Sequence, residues 1–191
     1  SVYEEKQADV GWGQSMSAAY REIILGGGLT PVSQLSGAFL APPSPLHLQF
    51  AYFESSLVVE YLVEQYGLET LKRVLLDLSV GMPINESLQR YTGSLVLLDQ
   101  EFEKFARTRA ESLAPGLDFS AQELPEQQDA GSWNAWQQAH PDNYLGLTAY
   151  AAWWMKQEKW EQAEKPLRRL LELFPQDISS GNACPVLSIV L

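Results

Sequence analysis

Phe50, Phe53, Leu57, Val58, Tyr61 and Leu62 recur at the spacing of one helical face, and Gly67 then offers the left-handed residue that ends a helix. Further helical signals flank this one. Thr30-Pro31 supplies an N-cap and then a proline in the first turn, where a missing N–H costs nothing. Leu68, Leu71, Val74, Leu75 and Leu78 share one face of a second helix that stops before Gly81. Asn85 is placed to cap a short third helix through Tyr91, and Gly93-Ser94 restarts the chain into Leu95, Leu98, Phe102 and Phe105. No period-two alternation competes with these patterns, so an all-α fold is predicted.

Between Leu113 and Gln128 the periodicity stops, because Pro115, Gly116, Pro125 and a run of Glu, Gln and Asp replace it. This predicts a helical domain over residues 1–112, a linker over 113–130 and a second helical region over 131–191. In that region Trp133 and Trp136 open a helix that stops before Pro141, and Asn143 starts a pair of helices.

The pair spans Tyr144 to Pro175, with Leu147, Tyr150, Ala151 and Trp154 lining the first helix. Ala163 is the expected point of close approach on the second, Leu167 and Leu170 its inner face, and Pro175 its exit. The stretch resembles a tetratricopeptide repeat, and Lys159-Trp160-Glu161-Gln162-Ala163 is a frequent start for the second helix of that family. Two positions depart from the family pattern: Tyr150 stands for a leucine, and Leu170 for a small residue. His140-Pro141-Asp142-Asn143 echoes Phe174-Pro175-Gln176-Asp177 about 34 residues later, so the Trp133 helix reads as the second half of a degenerate preceding repeat. One full repeat flanked by two partial ones is expected. Such a unit either offers a concave surface to a peptide or protein segment, or caps the larger domain; Trp153, Trp154 and Trp160 fit both readings.

At 191 residues and 46% hydrophobic content, the chain can bury a substantial core. A net charge of −11 and a sequence pI near 4.6 oppose the counterion release that draws proteins to nucleic acid or anionic lipid, so neither is an expected partner. Cys184 has no second cysteine with which to form an internal disulfide or a thiolate metal site. No apolar run approaches the ~20 residues that span a bilayer. Ser1 to Glu5 carries no signal-peptide pattern; Tyr3 to Glu5 reads like the middle of a helix, and Pro185 to Leu191 stops in an uncapped apolar run, as expected of an excised fragment.

Ser1-Val2-Tyr3-Glu4-Glu5, the following Gly11-Trp12-Gly13, and the long helix from Ala51 to Tyr66-Gly67 carry a family resemblance over residues 1–112. They are similar to the C-terminal half of a gluzincin, one of the peptidase MA-like zinc metallopeptidases. In that family Ser1-Val2-Tyr3-Glu4 matches the tail of the helix bearing the third zinc ligand. The resemblance therefore implies that this glutamate and the His-Glu-x-x-His lie upstream of Ser1. It also implies that Tyr52 donates a hydrogen bond to the oxyanion of the tetrahedral intermediate, a role suited to a neutral phenol. Tyr52-Phe53-Glu54-Ser55 stands here for the family's Tyr-x-Lys-Gly. An envelope or secreted location is implied by the resemblance alone.

A complete zinc site is not expected within this chain, since catalytic zinc takes three protein ligands and the two histidines, His47 and His140, fall in different regions. Gly26-Gly27-Gly28 lacks the Lys-Ser/Thr of a phosphate loop and reads as a flexible loop bordering a cleft, and no Gly-x-Ser-x-Gly elbow is present. Glu54, Glu60 and Glu64 lie near one helical stripe, as either a cation-attracting wall or a solvated face. Two functions follow. One is the cleft half of a zinc peptidase, inactive as it stands, with zinc in the intact parent. The other is a helical adaptor that holds a protein or peptide partner on its repeats.

Overall fold

The computed structural model describes residues 14–175. The predicted features of Ser1–Glu5, Gly11–Gly13, Cys184 and Pro185–Leu191 lie outside them. Nine α-helices and no strand occur among the described residues, so the chain is all-α. It divides into two compact units between Leu113 and Ala114.

Unit 1 is built on α3 (Pro45–Tyr66), preceded by α1 (Ala18–Leu25), a single 3-10 turn (Val32–Gln34) and α2 (Gly37–Leu40). It continues through α4 (Leu68–Ser79), α5 (Ile84–Thr92) and α6 (Leu95–Glu111). Ser44 starts α3: its hydroxyl accepts the His47 N–H, and Pro45 follows at a position that has no helical bond to lose. Gly67 ends α3 and begins α4 at φ 81° and ψ 157°, a conformation open to glycine and essentially closed to side chains with a Cβ.

All six apolar residues of the sequence stripe on α3 are buried, against Tyr20 and Ile24 of α1 and Leu98, Phe102, Ala106 and Ala110 of α6. Tyr20 stacks on Phe53 at 4.9 Å between ring centroids, and Phe102 meets Tyr61 edge-on at 5.8 Å.

Two local expectations differ from the structure. Thr30-Pro31 leads only into the 3-10 turn, because the Thr30 N–H is taken by the Glu54 carboxyl 24 residues away. Asn85 sits inside α5, whose N-cap is Pro83, and its amide donates to the Ser33 carbonyl. On α4 only Val74 is buried, while Leu68, Leu75 and Leu78 remain exposed.

Unit 2 contains α7 (Ala130–Ala139), α8 (Tyr144–Lys156) and α9 (Trp160–Leu173). Asp129 caps α7 by accepting from the Gly131 and Ser132 amides, and Asn143 caps α8 by accepting from Gly146. Helices α8 and α9 form a close hairpin through Gln157–Lys159. There Glu158 takes the left-handed conformation, and the Lys159 and Glu158 amides return to the Trp154 and Met155 carbonyls. Ala151 and Ala163, nearly or fully inaccessible, allow the close approach, and Leu147, Leu167, Leu170 and Phe174 fill the interior.

The helix-free stretch between α6 and α7 lies along unit 2. Leu117 is buried, and Asp118 pairs in parallel with Asn143 through the Asp118 N–H to the Asp142 carbonyl and the Tyr144 N–H to the Asp118 carbonyl, both 2.9 Å.

Candidate functional site

In unit 2, α7, α8 and α9 enclose a groove of about 700 Å³. Leu147, Tyr150 and Trp154 of α8 form its apolar floor. Asn134, Gln137 and Gln138 on α7 make one wall, and Glu161, Gln162, Lys165, Pro166 and Arg169 on α9 make the other.

Each part of the groove is fixed from behind. The Tyr150 hydroxyl donates to Asn134 Oδ1 at 2.5 Å, and its ring stacks on buried Trp133 at 5.4 Å. Gln137 donates to the Pro141 carbonyl at 2.9 Å, which holds its amide against the end of α7. Arg169 bonds Asp142 at 2.8 Å and Glu172 at 3.0 Å; these two bonds, Asp142 first, push its pKa up and keep it charged. Tyr150 and Trp154 are rigid aromatic surfaces, which can bind apolar side chains with little loss of rotamer freedom.

Pro166 adds a feature of a different kind. It lies inside α9 and has no N–H to donate to the carbonyl of Gln162, one turn earlier. That acceptor lacks its usual helical partner, and both residues line the groove. The proline interrupts an otherwise helical run in the sequence, which is the signal by which this position could have been found.

Asn143 anchors the unit behind the groove. It is almost wholly buried and uses its whole amide: Nδ2 donates to Asp118 Oδ2 at 3.1 Å and to the Ser120 carbonyl at 3.0 Å, while Oδ1 accepts from Gly146 at 2.9 Å. Bonds from Ser120 and then from Asn143 hold the Asp118 carboxyl below the usual carboxylate range.

In unit 1, Tyr52 projects from the N-terminal part of α3, 49% exposed, with its ring edge-on to Phe39 at 5.1 Å. The three glutamates of α3 do not act together. Glu54 is fully buried; its Oε1 accepts the Thr30 N–H at 2.6 Å, and its Oε2 has no hydrogen-bond partner. Burial pushes its pKa up to about 7, against the lowering effect of the Thr30 bond. Glu60 and Glu64 instead both pair with Arg109, at 3.1 and 2.6 Å. Glu54 is thus in the core, and neither a shared cation-attracting wall nor a solvated face describes the trio.

His47 Nδ1 lies 2.9 Å from the Ser44 hydroxyl in unit 1, and the His140 ring packs on Trp136 in unit 2. Among the described residues no three His, Cys, Asp or Glu side chains group closely enough to hold a metal ion. No helix among them is long and apolar enough to cross a membrane. Comparison with protein-family models, curated proteins and solved structures finds no match to this chain.

Proposed function

We propose that unit 2 is a binding module for an extended segment of a protein partner, held in the groove between α7 and α9. The observation that carries this reading is the combination on one surface of a Tyr150–Trp154 floor, amide-bearing walls and the Gln162 carbonyl left without its helical donor. An extended chain has what such a surface lacks: apolar side chains for the floor, and free backbone N–H groups for the carbonyl and the amide oxygens. The α8–α9 hairpin resembles a tetratricopeptide repeat, which agrees with this use.

The test is selection of peptides from a random display library on the full chain, followed by titration of the selected peptides. Saturable one-to-one binding is expected, with affinity reduced at least tenfold by Trp154→Ala, since truncating a central aromatic anchor costs ~2 kcal/mol or more. Binders indifferent to Trp154→Ala, or no saturable binder, would refute the reading.

A second reading rests on Tyr52. Residues 1–112 would be the helical half of a zinc-peptidase cleft resembling the gluzincins, with the metal ligands upstream of this chain and the Tyr52 phenol donating to an oxyanion. What supports it is that Tyr52 is half exposed on α3 rather than packed in the core. In the intact parent, Tyr52→Phe should lower kcat by at least tenfold with little change in KM; unchanged kcat rejects the role.

A further inference from the structure

Helix α4 contributes one buried residue, Val74, to the core of unit 1. Leu68, Leu75, Leu76 and Leu78, together with Val80 and Ile84 just beyond, remain 38–79% exposed. Exposed apolar side chains gathered on one short segment mark an interaction site. Two observations indicate what covers it. The first is charge: the chain carries −11, yet residues 68–92 hold Glu69, Asp77 and Glu86 against Lys72, Arg73 and Arg90, which sum to zero. Four of these six are already paired on the same surface, Glu69 with Lys72 and Asp77 with Arg90. Two copies of an acidic chain can therefore meet here without bringing net charge together, whereas a basic partner would find nothing to attract it.

The second observation is spacing. Leu68, Leu71, Leu75 and Leu78 are separated by three, four and three residues, a stripe symmetric about residue 73. Two such helices packed antiparallel across a two-fold axis set Leu68 opposite Leu78 of the second copy, and Leu71 opposite its Leu75. A face complementary to itself is what an isologous dimer requires.

We infer that the chain forms a reversible homodimer through antiparallel pairing of α4. Sedimentation velocity of the full chain over a wide concentration range should show a monomer–dimer equilibrium. Leu75→Glu should abolish it while leaving the far-UV dichroism unchanged, and Leu40→Glu, at an exposed position on α2, should leave it intact. Leu68→Lys and Leu78→Glu should each weaken self-association when alone and associate when mixed, because the antiparallel register places one introduced charge against the other. A chain that stays monomeric, a dimer that survives Leu75→Glu, or a mixture that does not associate overturns the proposal.

Discussion

Glu54→Gln should remove a pH dependence from the stability of unit 1. The carboxyl is fully buried on α3, accepts the Thr30 N–H, and is pushed up to about 7 by burial, against the lowering effect of hydrogen bonding from Thr30, from an unperturbed value of 4.5. The folded state therefore holds this proton more tightly than the unfolded chain does. Stability from this group is fully present below 4.5, declines as pH rises, and is lost above about 7. Between about pH 5 and about pH 8.5 the two values give a loss of roughly 2 to 3 kcal/mol. Starting near pH 5 keeps the chain above its sequence pI of 4.6, where solubility is poorest.

Urea unfolding followed by far-UV circular dichroism measures the effect, and tryptophan fluorescence supplies an internal reference, since five of the six tryptophans belong to unit 2. Glutamine keeps an acceptor for the Thr30 N–H and cannot ionise. Groups common to both proteins cancel in the difference, so the wild type should lose roughly 2 to 3 kcal/mol more than the variant across this range. Parallel profiles for the two proteins would show that Glu54 does not titrate between these limits, and the burial argument would fail.

Two further outcomes are expected in unit 2. Asn143→Ala removes the cap of α8 and leaves Asp118 and the Ser120 carbonyl without a donor, so the fluorescence-detected transition should move by about 2 kcal/mol toward instability. Pro166→Ala restores an N–H opposite the Gln162 carbonyl; it should stabilise the unit by about 1 kcal/mol while weakening the selected peptides, and a gain in both would show that the carbonyl takes no part in binding.

What the sequence made legible was the local part of the fold. The α3 stripe of Phe50, Phe53, Leu57, Val58, Tyr61 and Leu62 is buried in full, because a continuous apolar face on a long helix has few alternatives to a core. The α4 stripe was equally regular, but periodicity shows that a helix has an apolar face and not that the same chain covers it. The residue type of Glu54 hides what its register shows: Phe50, Glu54, Leu57 and Tyr61 are spaced four, three and four, so the carboxyl lies within the core stripe. Tyr52, two residues from either Phe50 or Glu54, points elsewhere by the same geometry and is half exposed. The bonds of Asn85 to Ser33 and of Asn143 to Asp118 join residues 52 and 25 apart, and no local pattern encodes them.

The groove also depends on a part of the chain whose composition shows no helical pattern. Helix α8 is apolar on two sides: Leu147, Tyr150 and Trp154 line the groove, while Ala149, Ala152 and Trp153 border a second depression closed by Leu124 and Gln128. A helix apolar on two sides needs cover on both. One side is supplied by α9, and the other by the extended stretch after residue 113, tied down through Asp118, through Ser120 and through the Trp136 indole, which donates to the Glu123 carbonyl at 2.8 Å. Proline and glycine keep that stretch from forming a helix of its own, and its backbone groups are then free to bond α7 and the start of α8. The residues that break the helical pattern ahead of α7 are therefore the ones that let a three-helix unit cover its central helix and keep one open groove.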